Sequence, residues 1–255
     1  MPFLILKEFQ EVDRPSVSGL RAVTSLSLSV NPYIFILVGK EVRGLRLDYL
    51  LLYAVTGPPR ADGMPLPRQA EAAIRGGATM LQLREKKLGP DAFLKLAREI
   101  KNVTDAYGVP LIINDRVDLA LACGAAGVHL GLSDGSLREA RALLGPRAIL
   151  GATARTAEQA LAAEAAGADY LGCGAVFGSA TKTDAVAMAP ETLRAICGAV
   201  KIPVAAIGGI TRENVTQLAG RGMAGFAVVS ALFGAADIET AARELRTEAE
   251  KILKK

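Results

Sequence analysis

Gly222-Met223-Ala224-Gly225-Phe226-Ala227-Val228-Val229-Ser230 carries a helix stop, a turn and a strand in one short stretch. Glycine takes the left-handed backbone that ends a helix at low steric cost. The run from Phe226 to Val229 that follows is short, apolar and rich in β-formers. The same junction recurs at Gly76-Gly77-Ala78, Gly124-Ala125-Ala126-Gly127 and Gly167-Ala168, each between an Ala/Leu/Glu/Arg-rich stretch and a β-rich run. Recurring αβ junctions predict βα units around a parallel sheet.

Working outward, eight strands are expected: Leu51 to Val55, Met80 to Arg84, Pro110 to Asn114, Gly127 to Leu130, Ala148 to Leu150, Tyr170 to Gly174, Pro203 to Ile207 and Phe226 to Val229. The helices between them read as Leu66 to Arg75, Pro90 to Ala106, Val117 to Ala122, Ser136 to Leu144, Ala157 to Ala166, Pro190 to Ala199, Arg212 to Ala219 and Ile238 to Leu253. Eight units in roughly 200 residues make a compact (β/α)8 TIM barrel of the α/β class, spanning 49–255. The structural alternative is a doubly wound open sheet, but no GxGxxG follows the first strand. Residues 1–48 stand outside the rhythm and read as an N-terminal extension of unknown role. With the barrel complete from about Tyr49, deleting 1–45 is expected to leave a folded, active protein.

The chain has 255 residues, is 51% hydrophobic and only 5% aromatic, and carries a formal charge of +4. Its basic residues are dispersed among acidic ones, which argues against nucleic acid as a partner. A mildly basic chain is compatible with phosphorylated substrates, and equally with an ordinary solvated surface. Cys123, Cys173 and Cys197 form no CxxC pair, which suits a reducing compartment and three buried, apolar thiols. With His129 the single histidine, no two-histidine mechanism is open. The stretch from Ala22 to Val38 is broken by serines, Asn31 and Pro32, so neither a membrane span nor a secretory signal is expected, and cytoplasm is the default. A homo-oligomer is compatible with the composition.

Polar residues concentrate where a barrel places its active site, at the C-terminal strand ends. The second strand ends Gln82-Leu83-Arg84-Glu85-Lys86, and a period of two sends Gln82, Arg84 and Lys86 to one side. Two cations and an amide at the barrel mouth suit a diphosphate and a heterocycle, although a solvated βα loop has the same composition. The third strand ends Asn114-Asp115-Arg116. Asp115 is a hard oxygen donor placed for magnesium, or alternatively the N-cap of the next helix. Gly131-Leu132-Ser133-Asp134 after the fourth strand adds a second carboxylate. His129 lies inside its strand and reads as packed or hydrogen-bonded rather than as a ligand. After the sixth strand, Phe177-Gly178-Ser179-Ala180-Thr181-Lys182 can surround phosphate oxygens or simply be a flexible loop. Gly208-Gly209 and Val228-Val229-Ser230 fall where barrels commonly bind phosphate.

The ordered set QLREK (82–86), INDR (113–116), GVHLG (127–131), GADYLG (167–172), FGSATK (177–182), IPVAAIGGI (202–210) and VVSA (228–231) resembles the thiamine-phosphate synthase family, over roughly Leu51 to Phe233. The resemblance implies a magnesium-dependent transferase in thiamine biosynthesis. It would join a pyrimidine diphosphate to a thiazole phosphate, carboxylated or not, and release pyrophosphate. It implies that Gln82, Leu83, Arg84, Glu85, Lys86 and Asn114 hold the pyrimidine diphosphate, and that Asp115 and Asp134 hold Mg2+. It also implies that Thr153 and Lys182 supply the hydroxyl and the loop lysine. Ser179, Ala180, Thr181, Gly209, Val229 and Ser230 would hold the thiazole phosphate. Arg84, Lys86 and Lys182 would stabilise charge on the departing pyrophosphate. Three positions depart from the family pattern: Leu132 where Gln is usual, Thr153 for Ser, and Ser179 for Thr. Two rivals share the fold. A thiazole tautomerase has a histidine where this chain has Arg155, and a phosphate-sensing barrel would bind both substrates without turnover.

Overall fold

A computed structural model describes residues 41–42, 45–178 and 187–253. Eight parallel strands close into a barrel: β1 (Leu52–Val55), β2 (Met80–Leu83), β3 (Leu111–Asn114), β4 (Gly127–Leu130), β5 (Ile149–Ala154), β6 (Tyr170–Gly174), β7 (Val204–Ile207) and β8 (Gly225–Val228). The ring closes where Phe226 of β8 pairs with Leu52 of β1. Around it stand α1 (Leu66–Arg75), α2 (Pro90–Ala106), α3 (Val117–Cys123), α4 (Leu137–Leu144), α5 (Ala157–Ala165), α6 (Pro190–Ala199), the short α7 (Ser230–Phe233) and α8 (Ile238–Leu253).

Strand alternation sorts the side chains into two cores. Leu52, Ala54, Leu81, Leu83, Ile113, Val128, Leu150, Leu171 and Val204 face the helices. Tyr53, Val55, Met80, Ile112, Tyr170, Ala205 and Ala227 fill the barrel interior. Burying a branched aliphatic side chain stabilises by about 1.5–3 kcal/mol, so the outer layer supplies most of the driving force. Helix ends follow local chemistry. Pro90 and Pro190 open α2 and α6, the Ser136 and Thr156 hydroxyls accept from Glu139 N and Gln159 N, and Gly124 closes α3 at φ 66°.

Three elements differ from expectation. Strand β5 runs to Ala154 rather than ending at Leu150, because Gly151 and Thr153 pair with Tyr170 and Gly172 on β6, which outweighs weak local β-propensity. The helix expected over Arg212 to Ala219 is a single 3-10 turn, Val215–Leu218. Asn214 is committed elsewhere: its amide donates to Gly209 O at 2.8 Å and its side-chain oxygen accepts from Thr211 N at 2.8 Å, competing with helical pairing. The unanticipated α7 follows β8 directly.

At the N-terminal end, a ribbon pairs Glu41–Val42 with Leu45–Arg46 and a 3-10 turn, Leu47–Leu50, leads into β1. Leu45 and Leu50 belong to the interior cluster and plug the barrel floor. The safe truncation therefore ends before the ribbon. Deleting 1–40 is expected to leave the thermal midpoint and activity near those of the full chain. A cut through Leu50 strips both plugs, each worth about 2–5 kcal/mol in large-to-small substitutions. Melting curves of the two truncations separate these outcomes.

Candidate active site

The inward parity of the strands converges at their C-terminal ends on a cleft. Gln82, Arg84, Asn114, Thr153, Gly209, Val229 and Ser230, all expected site residues, line it together. Leu83 points the other way, into the helix-facing core, so only its main chain could serve a ligand. Glu85 turns back to accept from Lys87 N at 2.7 Å. Ser179, Ala180, Thr181 and Lys182 lie outside the described residues.

The two expected metal carboxylates come together. Asp115 closes β3 in the left-handed region at φ 65°, a conformation Asp tolerates better than most residues, and its N–H donates to His129 O at 2.9 Å. The N-cap position of α3 is Arg116, so the capping alternative for Asp115 falls away. Burial raises the Asp115 carboxyl above its ordinary value, and the neighbouring Asp134 raises it further. Lys86 opposes that shift across an ion pair of 3.5 Å. Asp134 is anchored by accepting from Gly131 N at 2.7 Å, and a Cβ at position 131 would stand 2.6 Å from its carboxylate oxygen. Glycine is what allows this loop to fold the carboxylate back over the strand end. Two converging hard-oxygen donors of like charge fit a divalent cation that keeps waters and shares its shell with phosphate oxygens.

On the opposite wall, Gly208 and Gly209 follow β7 at φ 104° and 66°. A Cβ on Gly209 would lie 2.7 Å from Phe177 O, so only glycine lets this turn pack against the segment after β6. Asn214 holds the turn from behind. Arg60 reaches from the loop after β1 to donate to Phe233 O at 3.0 Å and Ala235 O at 2.5 Å, steadying α7 behind Ser230.

The floor of the cleft also holds Tyr53 and Tyr170, which strand parity could have flagged but motif reading passed over. Gln82 Nε2 donates to Tyr53 Oη at 2.5 Å, the Tyr53 and Tyr170 hydroxyls meet at 2.8 Å, and Tyr170 Oη lies 3.1 Å from His129 Nδ1. His129 Nε2 lies 3.1 Å from Thr153 Oγ1. His129 is therefore hydrogen-bonded through both ring nitrogens, as its place in the strand suggested. Arg155, just beyond β5, adds a cation to the cleft lining. The thiols lie apart from this chemistry. Burial pushes Cys173 up to about 12 and Cys197 up to about 11, which keeps both protonated and weakly nucleophilic. Cys123 and Cys173 are buried and Cys197 is half-buried. Among the described residues no helix is long and apolar enough to cross a membrane.

Cations on one rim, paired carboxylates beside them and a glycine turn opposite define a (β/α)8 barrel shaped for phosphorylated small molecules. The profile of the thiamine monophosphate synthase family matches residues 52–232, and the chain belongs to that family. It is 49% identical over 192 residues to "Thiamine-phosphate synthase 2" of Streptococcus pneumoniae, covering 75% of this chain and 91% of that protein. It is 47% identical over 200 residues to a thiamine-phosphate synthase of Ruminiclostridium cellulolyticum, covering 78% and 95%. Among solved structures, a thiamine phosphate pyrophosphorylase from Pyrococcus furiosus superposes with a TM-score of 0.74 at 39% identity, covering 81% of this chain and 98% of that one.

Proposed function

We propose that this chain is a cytoplasmic transferase that condenses an aminopyrimidine methyl diphosphate with a thiazole phosphate to give thiamine phosphate and pyrophosphate. The observation that carries the reading is the convergence of Gln82, Arg84, Asn114, Thr153, Gly209 and Ser230 on one cleft, with Asp115 and Asp134 paired at its rim. Family membership, with nearly full coverage of the relatives, supports it.

The pyrimidine diphosphate would lie along the β2 and β3 ends. There Arg84 and Lys86 face the diphosphate oxygens, and Asn114 can read a ring edge. Asp115 and Asp134 would hold Mg2+, which when bound supplies charge neutralisation at the diphosphate. As the C–O bond to the diphosphate breaks, negative charge grows on the departing group, and fixed cations on this wall favour that state over the ground state. The thiazole phosphate would sit against Gly209, Val229 and Ser230, which orients the thiazole nitrogen toward the methylene carbon and excludes water between the rings. The resemblance assigns Ser179, Ala180 and Thr181 to the same enclosure and Lys182 to the departing pyrophosphate.

The two walls separate in kinetics. Lys86→Ala is expected chiefly to lower kcat, because the lost cation acts where charge develops. Ser230→Ala is expected to raise KM for the thiazole phosphate, with a smaller change in kcat, by about 1.5–3 kcal/mol for a hydrogen bond to a charged group. Steady-state rates with each substrate varied in turn test this. Ser230→Ala weakening only the pyrimidine diphosphate, or Lys86→Ala only the thiazole phosphate, would overturn the assignment of the walls.

A further inference from the structure

Gln82, Tyr53, Tyr170, His129 and Thr153 form one continuous hydrogen-bonded chain across the floor of the cleft, contributed by β2, β1, β6, β4 and β5 in turn. Space is cleared for it. A Cβ on Gly151 would fall within the Tyr170 phenol and 2.5 Å from His129 Nδ1, and one on Gly172 would stand 3.1 Å from His129 Cε1. Tyr53 and Tyr170 are buried, and burial drives both phenols far above their ordinary values, so each keeps its hydrogen. A phenol with one hydrogen that must serve two neighbours donates to one and accepts from the other, so the direction of the first link sets all the rest. With a neutral imidazole, two senses are self-consistent.

The Gln82 amide nitrogen can only donate, and it faces Tyr53. Tyr53 then donates to Tyr170, and Tyr170 donates to His129 Nδ1. The neutral imidazole carries its hydrogen on Nε2 and donates to Thr153 Oγ1. The Thr153 hydroxyl hydrogen is left over, and Thr153 lines the cleft. We propose that this one-way chain presents Thr153 to the cleft as a hydrogen-bond donor, so that the substrate atom it meets is an acceptor, a ring nitrogen or an anionic oxygen. Tyr53, Tyr170 and His129 are positioning residues that act through Thr153. In the opposite sense Thr153 would spend its hydrogen on His129 and offer only lone pairs. The inference rests on the reading of the cleft as the condensation site and specifies one contact in it.

His129 is the only histidine, so 15N-histidine labelling of the full chain gives one imidazole to read without assignment. At neutral pH and without substrates, its two nitrogen shifts are expected to show a single Nε2–H tautomer. In Tyr53→Phe, which cuts Gln82 from Tyr170, the second tautomer should appear and kcat/KM should fall roughly tenfold. Thr153→Ser, which keeps the hydroxyl, should retain both tautomer and rate, whereas Thr153→Val should lose rate with the tautomer unchanged. An Nδ1–H tautomer or a doubly protonated ring in the unmodified protein would break the one-way chain and overturn the proposal, even if the variants failed to fold. An Nε2–H tautomer that persists in Tyr53→Phe would overturn the directing role of Gln82. Because the spectrum needs no turnover, a protein that shows the Nε2–H tautomer but fails to condense the substrates would sink the functional reading and leave the relay standing.

Discussion

Replacing Asp115 with alanine is expected to lower turnover on the order of 100- to 1000-fold while leaving the barrel folded. The magnitude is that of removing one preorganised electrostatic contact to a developing charge. The sparing of the fold follows from the direction in which Asp115 titrates. Its carboxyl is raised by burial and by Asp134, so the folded protein binds this proton more tightly than the unfolded chain does. Stability contributed by this group therefore rises as pH falls through the window between its ordinary and raised values, and the ionised form costs stability above that window. Without metal at neutral pH, Asp115→Asn, which removes the charge and also tolerates the left-handed backbone at φ 65°, should melt no lower than the unmodified protein. A residue kept at a cost to stability is the pattern expected where carboxylates gather for a cation. Turnover unchanged in limiting magnesium would refute the metal assignment.

Arg141→Ala is expected to destabilise the fold by about 3–5 kcal/mol with the cleft itself untouched. From α4, Arg141 donates to Gly145 O, Ala148 O and Gly167 O, and pairs with Asp169 Oδ2 at 2.5 Å. The same Asp169 oxygen accepts from Leu150 N at the head of β5, so one guanidinium ties α4 to the start of β5 and to the turn before β6. Asp169 is buried and Arg141 is mostly so. Truncating the arginine leaves a buried charge without its partner, which costs far more than losing an exposed pair. Arg141→Lys should recover only part of the loss, since an ammonium cannot span the carbonyls that the planar fork reaches. Urea unfolding of the three proteins measures this, and a midpoint for Arg141→Ala within error of the unmodified protein would show that the fork is incidental.

Much of this molecule was legible because local and global signals agree. Pro90 and Pro190 start helices where expected, and glycine turns mark αβ junctions. Period-two alternation also placed Gln82 and Arg84 at the cleft. What sequence reading missed was decided by partners distant in the chain. Thr153 became a strand residue because it pairs with Gly172 of β6. Asn214 ended a helix that periodicity favours because Gly209 needed its amide. Leu45 fell in a stretch without visible rhythm, yet its single side chain plugs the barrel floor. The Tyr53, Tyr170 and His129 chain left a usable trace, since all three share inward parity with the small residues Gly151 and Gly172, but nothing in a linear motif joins residues 53 and 170.

The condensation itself is the most direct test. The full chain, magnesium and both substrates are combined, and thiamine phosphate and pyrophosphate are followed together. Equal amounts of the two products, dependent on both substrates and abolished by chelation, are expected. Binding of both substrates with neither product, or isomerisation of the thiazole phosphate with no pyrophosphate released, would contradict the assignment of this barrel as a condensing transferase.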